Sequence, residues 1–234
     1  YNKGLEQYNA GMAKYNQGVK QYEQMQTAIK QYDSALNALN TQFGSYDKEN
    51  FAVLFVDMRD STLRAQNVGA EKTFLTMHVY LTALLEVIKF YHGKVIDIMG
   101  DGIMAFWGGR AAREEENMVK AIAVKKAGLC GRDMLAVREK VINEIIDKED
   151  LGAPINIGIG VTFDSVIVTK IGIPNSYDVK AFGDCINVAS KYSSKVTNKV
   201  KVSKKVKNLW PKSEGGTILF SPVHGEDAYY LTSK

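Results

Sequence analysis

Phe51-Ala-Val-Leu-Phe-Val-Asp57-Met58-Arg59-Asp60-Ser61-Thr62 decides how the rest of the chain is read. Its apolar run is short and lacks a helical period, so it reads as a buried strand that ends on a carboxylate. A second carboxylate, Asp101, falls in Met99-Gly-Asp-Gly102, the turn of a hairpin between the apolar runs Val95 to Ile98 and Ile103 to Trp107. Taken singly, Asp57 fits a helix cap and Asp101 a plain turn residue. Taken together, two adjacent strand ends that each present a carboxylate make a cradle for two divalent cations, an arrangement suited to phosphoryl transfer.

Working outward, strand and helix patterns alternate from Tyr46 onward. Ala70 to Tyr91 puts Phe74, Met77, Leu81, Leu84, Leu85 and Ile88 on one helical stripe that Gly93 ends; His78 on that stripe and His92 beside its end read as structural. A charged helical stretch covers 111–147, with a break predicted near Gly131. Ile155 to Ile159, Ser165 to Ile171 and the stretch before Phe182 read as strands, and Ile186 to Ser194 as a helix. Thr217 to Phe220 and Tyr229 to Leu231 close the chain as short strands. The alternation predicts an α/β chain, a mixed sheet covered by helices.

Upstream, Tyr1, Leu5, Tyr8, Met12, Tyr15, Val19 and Tyr22 alternate in steps of four and three, a heptad seam. It slips at Met25 and resumes through Ile29, Tyr32, Leu36, Leu39 and Phe43 until Gly44. Gly4, Gly11 and Gly18 each cost about 1 kcal/mol of helix propensity, so the helix needs a partner. The expected organisation is a coiled-coil signalling and dimerisation helix over 1–44 and a globular domain over 45–234.

The 234 residues are 45% hydrophobic and 24% charged, with a net charge of +4. The basic run from Lys195 to Lys212 holds the single aromatic Trp210, which argues against nucleic acid as a partner and for a solvated face. Cys130 and Cys185 share no metal-ligand spacing and are expected as reduced thiols. No apolar run is read as long enough to cross a bilayer. A start at Tyr1 inside a repeat leads to the expectation of a fragment: a cytoplasmic domain whose upstream sensor or membrane anchor lies elsewhere.

Three motifs, Phe55-Val-Asp-Met-Arg-Asp-Ser-Thr62, Gly93-Lys-Val-Ile-Asp-Ile-Met-Gly-Asp101-Gly-Ile-Met-Ala-Phe106 and Gly183-Asp-Cys-Ile-Asn187-Val-Ala-Ser-Lys191, occur in the order and spacing of the class III nucleotidyl cyclase catalytic domain, which the chain resembles from about Asn50 to Thr232. The resemblance implies a ferredoxin-like sheet and two Mg²⁺ or Mn²⁺ ions bridged by Asp57 and Asp101, with the Met58 carbonyl as a further ligand. It also implies a homodimer with composite sites. Residues Arg59, Asp60, Ser61 and Thr62 lead into a helix whose free N–H groups can receive phosphates. Asn187 and Lys191 share a helix face and take the place of the family's Asn and Arg that stabilise the transition state from the partner subunit. Lys191 keeps the charge but not the planar fork.

The family's base-reading positions fall by count on Asp97 and Lys180, with the charges exchanged. A length change would instead bring in Asp178. Adenine and guanine can each be read by one cation and one carboxylate; ATP is the expected substrate, with GTP open. His224 stands where the family carries a phosphate-binding lysine, and an exposed loop histidine reads equally well. A degenerate cyclase-like module that regulates or dimerises is the competing class, because Lys191, His224 and the Asp97/Lys180 exchange depart from the pattern. A diguanylate cyclase needs a Gly-Gly-Asp/Glu-Glu-Phe hairpin, which Met99-Gly-Asp-Gly-Ile does not supply.

Overall fold

The computed structural model describes residues 46–109, 117–173, 176–212 and 216–233, with positions 16 and 20 besides. The heptad seam over 1–44 and the start of the charged stretch at 111–116 therefore lie outside the described residues. The chain divides into Tyr1–Gln42 and Phe43–Lys234, and the second unit is the one described.

In chain order its elements are β1 (Asp47–Met58), α1 (Ser61–Phe90), β2 (Lys94–Met99), β3 (Gly102–Gly108), α2 (Asn117–Val137), a π-helical turn (Arg138–Ile142), α3 (Asn143–Lys148), β4 (Ile157–Ile173), β5 (Ser176–Phe182), α4 (Asp184–Ser194), β6 (Lys199–Ser203), α5 (Lys204–Leu209), β7 (Ile218–Pro222) and β8 (Ala228–Ser233). The sheet has eight strands in the order β2-β3-β1-β4-β6-β8-β7, with β5 on β4. Among the described residues only β4 and β6 pair in parallel. The mixed α+β sheet expected from the alternation is the observed one.

Strand parity explains where the core sits. Ala52, Leu54, Val56 and Met58 of β1 join Ile103, Ala105 and Trp107 of β3 and Ile157, Ile159 and Val161 of β4 on one face, packed with Tyr80, Leu84 and Ile88 of α1 and Val124, Ala127 and Met134 of α2. The alternate residues, including Asp57, therefore point to the other face, which α4 covers. There β4 reads Gly158, Gly160 and Thr162. A Cβ on Gly160 would stand 2.0 Å from the Ala189 carbonyl oxygen, and one on Gly158 2.0 Å from that of Ser193, so the helix backbone rests directly on the strand. Gly160→Ala is expected to destabilise the fold by about 2 kcal/mol or more, because backbone rather than a flexible side chain must give way. Urea unfolding measures this, and an unchanged midpoint would contradict the close approach.

Four sequence expectations are corrected. The fully buried row of α1 is Thr76, Tyr80, Leu84 and Ile88, with Met77, Leu81 and Leu85 of the expected stripe packed beside it, while Phe74 is 66% exposed and His78 is exposed beside it. The helix runs unbroken through Gly131, whose missing side chain lets it close on Ile159 and Val200, and the irregularity comes at the π turn. The two strands read at 155–159 and 165–171 are one long β4. The basic run is not a wholly solvated face: it contains β6, where Val200, Lys201 and Val202 are all buried.

Ser61–Phe90 is long and apolar enough to cross a membrane by length and composition, contrary to the expectation that no segment is. Its buried Tyr80, Leu84 and Ile88 and its break at Gly69 (φ 82, ψ 173) are those of a helix packed on a sheet. Cys130 and Cys185 are free and buried.

Candidate active site

Asp57 is the penultimate residue of β1, opposite Gly158 in the ladder. Asp101 occupies the turn between β2 and β3, where Gly100 takes φ 61. The fold brings the two aspartates together. A Cβ on Gly102, next to Asp101, would lie 3.6 Å from Asp57 Oδ1. Burial first, and then the Asp101 charge, raise the Asp57 pKa above the ordinary carboxylate value, while Arg59 opposes them. Beneath both lies Tyr80, whose hydroxyl donates to the Asp101 carbonyl at 3.0 Å and whose pKa is pushed upward by burial and by both carboxylates.

Two carboxylates held close enough to repel one another gain from a cation between them, so the residues fit divalent metal. Among the described residues no group of three or more His, Cys, Asp or Glu side chains gathers. Asp57 and Asp101 are the residues that would hold the metal, and Met58, the third ligand the resemblance implies, follows Asp57 with its side chain buried in the core. That sparse set matches Mg²⁺ or Mn²⁺ completed by substrate phosphate oxygens and water.

Arg59 lines a separate cavity of about 240 Å³ with Asp60, Leu63 and Arg64, and its backbone N–H is taken by the Asn156 carbonyl at 2.8 Å. Its guanidinium donates to Asp57 Oδ2 and, at 2.7 Å, to the Ser194 carbonyl at the end of α4. Asp60 is exposed and caps α1 in the left-handed region at φ 56, with no side-chain cap bond. Ser61 and Thr62, in the first turn, line a cavity of about 260 Å³ together with Met58, Gly100 and Asp101. The free N–H groups of that turn are thus placed beside the aspartates.

Asp97 and Lys180 also meet. The β4–β5 hairpin carries Lys180 Nζ to 3.3 Å from Asp97 Oδ2 on β2 and 2.6 Å from Asp178 Oδ2. The bonds from Asp178 and then Asp97 hold the Lys180 ammonium pKa above its usual value. Asp178, the alternative second position, therefore belongs to the same cluster. Asn187 and Lys191 lie exposed, one turn apart, on α4. Thr162 Oγ1 fixes that helix by donating to the Cys185 carbonyl at 2.9 Å. His224 is exposed in the turn between β7 and β8.

Two residues, Tyr80 and Lys201, escaped the sequence reading as parts of the site and its support. Tyr80 stands four before Leu84 in the buried row, a spacing that would have found it. Lys201, 1% exposed, donates to Glu226 Oε2 at 2.6 Å, with its Nζ 4.7 Å from the Tyr192 ring centre. That pair ties the His224 turn to the central sheet. The alternation Val200-Lys201-Val202 was the available signal.

Residues 43–224 match the family model described as adenylate and guanylate cyclase catalytic domain. A protein of Escherichia coli named cytidylate cyclase is 28% identical over 144 residues, 61% of this chain and 31% of its own length, so the chain spans about a third of that relative. Among solved structures, the adenylyl cyclase CyaB from P. aeruginosa superposes with a TM-score of 0.68 at 19% identity, covering 81% of this chain and 97% of the other. The guanylyl cyclase Cya2 does so with a TM-score of 0.58 at 19% identity, over 79% and 91%. At these identities the structural likeness speaks for the fold alone.

Proposed function

The chain belongs to the adenylate and guanylate cyclase catalytic domain family, and from that premise we propose that it converts ATP to 3′,5′-cyclic AMP and pyrophosphate in a homodimer. The observation that carries the cyclase reading is the meeting of Asp57 with Asp101, which itself lines the cavity shared by Ser61 and Thr62. When bound, two divalent cations acidify the attacking 3′-hydroxyl and neutralise the departing pyrophosphate. Asp57, Asp101 and the Met58 carbonyl would hold them. Ser61, Thr62 and the N–H groups opening α1 orient the β- and γ-phosphates. Asn187 and Lys191, exposed on α4, serve the site of the partner subunit: Asn187 positions the ribose and Lys191 meets the negative charge that grows around the α-phosphorus. His224 reaches the terminal phosphates.

The Asp97–Lys180 pair supports the choice of ATP. Lys180 stands between Asp97 and Asp178, so the cluster offers a base one ammonium donor beside a carboxylate acceptor. Adenine offers one donor at N6 beside an acceptor at N1 for Lys180. Guanine presents two adjacent donors, which ask for both carboxylate oxygens. Cytosine offers the same donor–acceptor edge as adenine, and the relative named cytidylate cyclase favours CTP as the second reading.

Incubating the protein with ATP, CTP, GTP and UTP under Mg²⁺ and under Mn²⁺, with products identified by mass spectrometry, separates these readings. No product from any nucleotide favours the regulatory module. Asp97→Asn is expected to lower kcat/KM for the preferred nucleotide by about 10- to 100-fold, the worth of one hydrogen bond to a charged group. An equal loss for all four nucleotides would argue against base reading by Asp97.

A further inference from the structure

Arg59 is bonded to the carboxylate oxygen that a second cation would need. Its guanidinium, only 15% exposed, engages Asp57 Oδ2, while Asp57 Oδ1 faces the Gly102 side, where Asp101 lies. One oxygen of Asp57 is thus open towards Asp101 and the other is closed. The Ser194 carbonyl, accepting at 2.7 Å from the other arm of the same guanidinium, anchors Arg59 in that position. Burial and Asp101 raise the cost of a bare Asp57 charge, and Arg59 is the group that offsets it in the absence of metal.

We propose that Arg59 is a resident placeholder at the metal site: Asp57 Oδ1 and Asp101 would be open to a first cation, whereas a second that needs Asp57 Oδ2 would have to displace the guanidinium. This rests on the two-metal reading of Asp57 and Asp101. It makes Arg59 a positioning residue that sets the order and threshold of metal loading, rather than a phosphate ligand. A fixed positive charge on a shared oxygen opposes a cation there directly, so its removal acts on metal affinity before any nucleotide is present.

Mn²⁺ binding to the nucleotide-free protein, followed by the electron paramagnetic resonance of free Mn²⁺, tests this. The wild type is expected to take up one ion per chain at a free concentration where Arg59→Gln takes up two, with the second dissociation constant lowered about tenfold or more. Arg59→Lys keeps the charge but spans Asp57 and Ser194 less well, and is expected between the two; it carries the test if Arg59→Gln fails to fold. A merely structural arginine predicts the opposite sign, weaker Mn²⁺ binding on substitution. Unchanged or weakened binding in both variants overturns the placeholder while leaving the metal site standing. Wild-type protein whose Mn²⁺ uptake is absent, or unaltered by Asp57→Asn, overturns the two-metal reading and the placeholder with it.

Discussion

Asp57→Asn is expected to lower cyclic nucleotide formation by at least about a thousandfold, since metal-borne charge stabilisation amounts to several kcal/mol and each 1.4 kcal/mol is a factor of ten. The same substitution is expected to leave the melting temperature unchanged or raised. Burial and the Asp101 charge place the folded pKa of Asp57 above its unfolded value. For an acid shifted upward, the penalty is present above the folded pKa and is relieved as pH falls through it, because the folded state then binds the proton more readily. An amide imitates the neutral form at every pH, so near neutrality it removes a repulsion rather than a support. Arg59 tempers that gain, because it loses the carboxylate it faces. The combination of a dead enzyme with an undiminished melting point marks a residue placed for chemistry at the expense of stability. Activity within tenfold of wild type, read by chromatographic quantification of product, would remove Asp57 from the site.

The sequence carried the strand ends, because a short apolar run that stops at a carboxylate leaves little choice of structure. It also carried the hairpin turn at Asp101 and the one-turn spacing of Asn187 and Lys191, which depend only on local geometry. The meeting of Asp97 with Lys180 was legible by family spacing, though not the way Lys180 is shared with Asp178, since that depends on how the β4–β5 hairpin reaches β2. Arg59 shows the limit best. The motif announces the N–H groups that open the helix and says nothing of the Arg59 side chain, which the close packing of α4 on Gly158 brings within reach of the Ser194 carbonyl. Lys201 was hidden for a related reason: a buried lysine becomes tolerable only through Glu226 and Tyr192, partners at long sequence distance that no local pattern announces.

Lys191→Ala is expected to lower kcat by about a hundredfold, the usual scale for a group that meets developing charge in the transition state. The more telling result comes from mixing it with Asp57→Asn. Lys191 is exposed on α4, while Asp57 lies inward at the end of β1. If each site draws its aspartates from one chain and its Lys191 from the other, a mixed dimer holds one intact site and one doubly damaged site. Random exchange makes about half of the dimers mixed, with half of their sites whole, so about a quarter of wild-type activity should return from two inactive proteins. Sites built within one chain would recover nothing on mixing. Recovery that rises with total protein concentration and tracks the dimer fraction in sedimentation would tie the effect to subunit exchange. Failure to recover, with dimers present, would place both residues in the same chain's site and remove the reason for a dimer. Lys191→Arg completes the comparison: the guanidinium fork meets two phosphate oxygens where the ammonium meets one, so kcat should rise if the lysine limits charge stabilisation.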